Sequence, residues 1–139
     1  MSTNKKIPVW IYIFAVISIL SSAVGVYGGY VDASFFYPEF ASADWGSGLI
    51  KHLGGMWASK NLAIILILVY GLIKKDFRWL AAIFLFKGIS DTVDILYVNT
   101  SFREGSAGGF LPNLLNWLIL ALPGLLAGIY LLKRAKAEE

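Results

Sequence analysis

The chain has 139 residues, of which 58% are hydrophobic and 15% are charged, whereas a soluble domain is about half apolar and about a quarter charged. So small a domain has too little interior to hide this excess of apolar side chains. The absence of cysteine excludes disulfides, iron–sulfur clusters and cysteine-ligated zinc. We therefore predict one membrane domain over residues 1–139, and we expect no resident cofactor.

Four apolar stretches are each long enough to cross a hydrocarbon layer of ~30 Å, which takes about 20 helical residues. In chain order they cover residues 7–31, 55–73, 77–98 and 114–132. A backbone in lipid must form its hydrogen bonds within its own segment, so each stretch is predicted to be an α-helix. Short connections make neighbouring helices antiparallel. The predicted fold is all-α, a four-transmembrane-helix antiparallel up-down bundle.

Lysine and arginine predict the orientation of these helices, because cytoplasmic loops carry an excess of both. Eight of them lie on one side of the predicted spans: Lys5, Lys6, Lys74, Lys75, Arg78, Lys133, Arg134 and Lys136. Only Lys51 and Arg103 lie in the predicted loops of the other side. The first span exceeds the about 7–15 apolar residues of a signal peptide, so we expect it to be retained. We predict a multi-pass protein of the inner (plasma) membrane with both termini in the cytoplasm.

The outer loops are predicted to join the helices at residues 32–54 and 99–113. The first contains five aromatic residues, and aromatic rings favour the headgroup region of a bilayer. This loop is either an interfacial anchor or a lid over a pocket, and the lid would have these hinges: Gly46, Gly48, Gly54 and Gly55. His52 belongs to the same predicted loop, where an interfacial side chain is expected rather than a ligand.

Two pairs of glycines have the small-xxx-small spacing that lets membrane helices approach closely. Gly25 and Gly29 lie on the first predicted helix, and Gly124 and Gly128 lie on the fourth. We expect helix packing at these positions. We expect a homo-oligomer or a membrane protein partner to pack against the same two helix faces. Membrane lipids are the other expected partners. The net charge of +3 follows from the topology, so no nucleic-acid partner is expected.

Four ionisable residues lie inside the predicted spans: Lys60, Lys87, Asp91 and Asp94. Each costs at least ~2.5–3.5 kcal/mol near the bilayer centre, so such residues usually face the bundle interior and pair with one another. Counted from the cytoplasmic loop, Lys60 and Asp91 both lie ~23 Å up their helices, which predicts a pair between adjacent helices. Lys87, Asp91 and Asp94 also share one helix face.

Other helices bring polar side chains to similar heights, and the candidate ligand-binding residues form one group: Ser22, Lys60, Asn61, Lys87, Asp91, Asp94 and Asn116. Three interpretations are open. The first is a static network whose two positive and two negative charges cancel. The second is a polar-floored cavity that binds a hydrophobic or amphipathic molecule, such as a lipid, a sterol-like or a quinone-like compound. The third is proton chemistry, with one proton held between Asp91 and Asp94.

Residues 58–98 resemble small four-helix bacterial membrane proteins of the DoxX-like group, some of which are catalogued as domains of unknown function. Those proteins have a basic residue followed by Asn-Leu-Ala on the second helix, a short basic loop, and an aspartate late on the third helix. The corresponding residues here are Lys60 to Ala63, Lys74 to Arg78, and Asp91. The basic residue of the group is usually arginine, so Lys60 departs from the pattern. Its ammonium group cannot bind a carboxylate through the two parallel hydrogen bonds that a guanidinium group forms.

The resemblance implies that a paired Lys60 and Asp91 form a site. The DoxX-like group includes subunits of quinone-linked oxidoreductases, maturation factors and a receptor-assembly chaperone. An accessory or chaperone-like subunit is therefore one alternative function. A membrane isomerase or quinone-linked oxidoreductase component, with Asp91 or Asp94 as acid or base, is another. The sequence contains no metal-ligand cluster and no nucleophile–base pair. The leading hypothesis is a non-enzymatic bundle that binds a small hydrophobic or amphipathic molecule near the level of Lys60 and Asp91, because polar groups converge there beneath the aromatic loop.

Overall fold

A computed structural model of the chain describes residues 6–31, 48–95 and 114–137. Most of these residues are helical, and none of them belongs to a strand. Their four helices are α1 (Val9–Tyr30), α2 (Gly48–Lys74), α3 (Phe77–Val93) and α4 (Leu114–Ala137). Among them α1, α2 and α4 are long and apolar enough to cross a membrane. The predicted all-α class is confirmed, and these three helices indicate a membrane protein.

Helix α3 is the shortest of the four. Its 17 residues extend over ~25 Å at 1.5 Å per residue. The predicted third span continues over residues 96–98, which lie outside the described residues. The same holds for most of the two predicted outer loops, residues 32–47 and 99–113, including the possible hinge Gly46. A bundle of four crossing helices therefore stays a prediction.

Helix α2 begins earlier than the sequence predicts. The span was expected to start at Gly55, with Lys51 and His52 in the preceding loop, but both residues are helical. Gly54 and Gly55 are interior residues of the helix and are not hinges. The physical reason is packing: Gly54 is buried, and its carbonyl oxygen would lie 2.5 Å from a methyl group placed on Gly29. This contact with α1 keeps a glycine-rich segment helical.

A two-residue turn joins α2 to α3. Lys75 has a positive φ of 51°, the left-handed conformation that follows many helix C-termini. Its N–H bonds the carbonyl of Leu72, and the N–H of Asp76 bonds that of Gly71, as in a Schellman motif. The Asp76 carboxylate then accepts hydrogen bonds from the backbone N–H groups of residues 78 and 79, which caps the first turn of α3.

The helices are divided between two compact units. One contains Ala15–Val69, and the other contains Met1–Phe14 with Tyr70–Glu139. Within the first unit, α1 approaches α2 closely at two of its glycines. A methyl group on Gly29 would lie 2.5 Å from the Cβ atom of Ala58, and one on Gly25 would lie 2.7 Å from the amide nitrogen of Asn61.

Within the second unit, α3 packs along α4. A methyl group on Gly88 would lie 2.8 Å from the backbone nitrogen of Leu125, and one on Gly128 would lie 2.6 Å from the side chain of Leu85. Gly124 faces the backbone of Gly88 across the same contact. At the start of α1, the ring of Trp10 lies edge-on to that of Tyr130, with ring centroids 5.3 Å apart. Both glycine pairs predicted to pack therefore do so within the chain.

Alanine substitutions test these close helix contacts. Gly29→Ala and Gly88→Ala each place a methyl group against neighbouring backbone, and overpacking of this kind destabilises a protein by roughly 1–3 kcal/mol. Gly55→Ala is the matched control, because no described atom lies within 4 Å of its Cβ position; it should be neutral or stabilising by up to about 1 kcal/mol. Thermal unfolding in one detergent gives the comparison. Equal melting temperatures for Gly88→Ala and Gly55→Ala would contradict the packing.

Candidate functional site

The buried face of α3 changes from apolar to polar along the helix. Leu80 and Phe84 are fully buried, and Lys87 continues their stripe three residues later with 5% exposure. Residues three and four apart lie on one helix face, so Asp91 follows on the same stripe. The half of α3 next to the α2–α3 turn is therefore apolar inside, and its other half carries charge.

Lys87 and Asp91 form an ion pair within α3. The Lys87 Nζ atom lies 2.7 Å from Asp91 Oδ2 and donates a hydrogen bond to it. The side chain of Lys87 is 6% exposed and that of Asp91 is 18% exposed. Lys87 lies ten residues after Phe77, ~15 Å along the helix. A lysine at that depth of an apolar helix needs a counter-charge, and the aspartate one turn later supplies it.

A second polar contact, at the residue that follows Asp91 in the chain, joins α3 to α4. The Trp117 indole N–H donates to Thr92 Oγ1 at 3.0 Å, and the Thr92 hydroxyl donates to the Gly88 carbonyl at 2.7 Å. Neither residue is among the candidates predicted from the sequence, in which Trp117 is one residue of the apolar stretch 114–132. A buried indole N–H usually finds an acceptor, so a tryptophan among predicted intramembrane polar residues was the available signal.

A π-helical turn precedes the proline of α4. Residues Trp117–Ala121 form this wide turn, and the N–H of Leu122 bonds the carbonyl of Trp117. Pro123 has no N–H and its ring would clash with a carbonyl four residues earlier, so a regular α-helix cannot continue through it undisturbed. Such turns inside α-helices often occur at functional sites. Here the turn begins at the tryptophan that contacts Thr92.

Two further candidate residues are buried in the unit Ala15–Val69. Asn61 donates from Nδ2 to the Trp57 carbonyl at 3.0 Å and lies against Gly25. Ser22 is fully buried, and its hydroxyl oxygen has no hydrogen-bond partner among the described residues. The neighbouring Ser21 instead donates to the Ser18 carbonyl at 3.0 Å. Both predicted residues thus bring polar atoms into apolar surroundings.

The remaining candidates are placed differently. Lys60 and Asp94 are both half-buried, and Asp94 is the C-cap residue of α3. Asn116 is exposed and does not join the buried polar residues, because the adjacent Trp117 makes the contact with α3. The pairing of Lys60 with Asp91 stays a prediction, whereas the pairing of Asp91 with Lys87 is observed. In the described part of the chain, no group of three His, Asp or Glu residues could hold a metal ion.

Comparisons with known proteins assign no family and no function to this site. The chain matches no protein-family model, no curated protein and no solved structure. The likeness of residues 58–98 to the DoxX-like group is therefore a proposal that rests on the residues quoted for it.

Removing one charge of the pair should lower the stability of the protein more than removing both charges. Lys87→Met leaves the Asp91 carboxylate without its ammonium partner, and breaking a buried pair in this way destabilises by roughly 3 kcal/mol. Lys87→Met combined with Asp91→Leu should recover most of that loss, because apolar residues often replace a buried pair at no cost. Lys74→Met, at an exposed lysine, is the control and should stay within about 0.5 kcal/mol. Denaturant unfolding in detergent measures all three, and a double variant no more stable than Lys87→Met would argue against the pair.

Proposed function

We propose that this chain is a multi-pass protein of the inner (plasma) membrane that binds a hydrophobic or amphipathic small molecule beside Lys87 and Asp91. The proposal includes four antiparallel crossing helices with both termini in the cytoplasm. It also includes membership of the DoxX-like group, on the resemblance of residues 58–98. The ligand is a lipid, a sterol-like or a quinone-like compound. The single observation that carries the proposal is a nearly enclosed charged pair on an apolar helix.

The energetics of that pair favour a binding site over a purely structural role. Ionisable residues in membrane helices are rare and expensive, and they commonly mark ligand or ion pathways. A buried ion pair is also weakly stabilising compared with well-packed apolar residues. The bond between Lys87 and Asp91 joins two residues of one helix, so this bond does not fasten α3 to another element. An ionisable pair retained in an apolar helix therefore favours recognition of a ligand.

The neighbouring groups fit recognition of a ligand with a small polar head. Thr92, the residue after Asp91, supplies a hydroxyl, and Trp117 of α4 supplies the indole ring whose N–H bonds that hydroxyl. Ligand sites in proteins combine a mainly apolar lining with a few polar groups that fix orientation. Because the pair is formally neutral, a hydroxyl or carbonyl head would fit it better than a full charge. This composition supports sterol-like and quinone-like compounds as well as lipids.

The topology has a direct test because the chain contains no cysteine. We expect an impermeant maleimide, added to intact cells, to label Gly48→Cys and leave Ala137→Cys unlabelled. In a protein that α3 does not cross, α4 would end outside and both variants would be labelled. Gly48 and Ala137 are exposed helix-end residues, so neither substitution disturbs the core. Labelling of Ala137→Cys in permeabilised cells is the control for accessibility.

A charge swap tests ligand binding at the pair. Lys87→Asp combined with Asp91→Lys keeps the i,i+4 pair, and an acidic residue on the N-terminal side is the more favourable order on a helix. We expect the melting temperature to change little. A ligand positioned by the ammonium and the carboxylate should lose at least about tenfold in affinity, the equivalent of one hydrogen bond to a charged group.

Native mass spectrometry of gently extracted wild-type protein identifies the ligand for that comparison. We expect a copurified lipid, sterol-like or quinone-like molecule, absent or depleted in the swapped variant. The Lys74→Met variant, altered at an exposed lysine, is the control for substituting a lysine outside the pair, and it should retain the molecule. The proposal fails if wild type and swapped variant retain the same molecules in the same amounts, or if wild type retains none and none raises its melting temperature.

A further inference from the structure

An open pocket of about 530 Å³ lies between the end of α1 and the first turns of α2. Its lining residues are Tyr30, Lys51, His52, Gly55, Met56 and Ser59. All of them belong to the unit Ala15–Val69. None of them belongs to the polar group around Lys87, and no part of the function proposed above uses them.

The pocket is open at Gly55 because that residue has no side chain. A methyl group placed there would meet no described atom within 4 Å. One side of the pocket is held together by a hydrogen bond between the Tyr30 phenol and the Ser59 hydroxyl, 2.9 Å apart, which links α1 to α2. The close contact at Gly29 fixes the same two helices next to it. The space is therefore a built feature of the helix pair.

The lining combines cationic, hydroxyl and apolar groups. Lys51 and His52 are consecutive and exposed, and they supply an ammonium group and an imidazole N–H. Tyr30 and Ser59 supply hydroxyls, while Met56 gives an apolar wall with 60% exposure. The lining residues that the structure describes include no carboxylate. Lysine is a common phosphate ligand, acting as a point charge, so the pocket suits an anion with an apolar attachment.

The position of the pocket along α2 indicates where that anion would come from. Lys51 is the first residue of the stretch Lys51–Lys74, which is long and apolar enough to cross a membrane. The pocket thus lies where the hydrocarbon layer would end and the headgroup layer begin. A basic side chain at the end of a membrane helix lies at the depth of the lipid phosphates and attracts anionic headgroups within a Debye length. In the topology proposed above, this is the outer headgroup layer. The pocket volume is within the ~300–1,000 Å³ range of small-molecule sites.

We propose that this pocket binds the anionic, phosphate-bearing headgroup of a membrane lipid. The phosphate meets Lys51 and His52, and an acyl chain lies against Met56. Tyr30 and Ser59 are hydrogen-bonded to each other, so one of their hydroxyls donates within that bond and the other donates to the phosphate. Free inorganic phosphate has the same charged chemistry, but it would leave the apolar wall uncovered. A lipid is therefore the better match to the whole lining.

Binding of short-chain lipids to the full chain in detergent tests the proposal. We expect phosphatidic acid to bind at least about tenfold more tightly than phosphatidylcholine, whose headgroup has no net charge. Inorganic phosphate at the same concentration should not displace it. The proposal is overturned if phosphatidylcholine binds equally well, or if inorganic phosphate displaces the lipid, which would make the pocket a site for a free anion only.

Substitutions in the pocket locate the binding. Lys51→Gln combined with His52→Gln should weaken phosphatidic acid binding by about tenfold or more, and Gly55→Leu should do the same by filling the space. Gly48→Leu is the matched control, because it adds the same side chain to α2 where no described atom lies within 4 Å and outside the pocket lining; it should stay within about twofold. Wild-type affinity in Gly55→Leu, with an unchanged melting temperature, would rule out this pocket.

The swapped variant at Lys87 and Asp91 separates this inference from the function proposed above. It should bind phosphatidic acid as wild type does, because the pocket contains neither residue. If the swap abolishes lipid binding and the pocket substitutions do not, the lipid belongs to the pair on α3. In that outcome the headgroup pocket is wrong and the proposed function stands.

Discussion

The close approach of α3 and α4 is the contact on which the polar chemistry of this protein depends. In a membrane there is no hydrophobic drive between helices, so association relies on packing of small residues and on hydrogen bonds between helices. Gly88 allows this approach because it has no side chain, so that its Cα atom packs against the backbone of Leu125 and of Gly124. Lys87 immediately precedes Gly88 in the chain, and its side chain is 6% exposed. Enclosure of the lysine then makes its pairing with Asp91 necessary.

Much of this arrangement follows from local rules that operate on the sequence alone. The three helices that are long and apolar enough to cross a membrane follow from apolar length, and the packing at the two glycine pairs follows from small-residue spacing. The shared helix face of Lys87 and Asp91 follows from the stacking of side chains one turn apart, although the sequence predicted Lys60 as the partner of Asp91. Each rule concerns either residues close together in the chain or the thickness of the hydrocarbon layer. Such features are predictable because no knowledge of a distant partner is needed.

The features that the sequence could not predict depend on a specific partner elsewhere. Helix α2 continues through Gly54 because α1 presents Gly29 to it, and glycines alone suggest a break rather than a contact. Trp117 reaches Thr92 from the π turn before Pro123, a geometry that hydropathy does not encode. Depth counting did place Asn116 near the polar residues, but a helix has several faces, and the wide turn presents the neighbouring tryptophan instead.

Pairing within a single helix also bears on how α3 enters a membrane in the proposed topology. An i,i+4 pair forms as soon as the helix forms, before any other helix packs against it. Lys87 and Asp91 would therefore enter hydrocarbon as a neutral unit rather than as two separate charges, each of which would cost at least ~2.5–3.5 kcal/mol. The same neutrality distinguishes the pair chemically from the pocket at Lys51 and His52, whose described lining is cationic. In the two proposals, the neutral pair offers a donor and an acceptor side by side and suits a polar but uncharged head, whereas the cationic lining suits an anion.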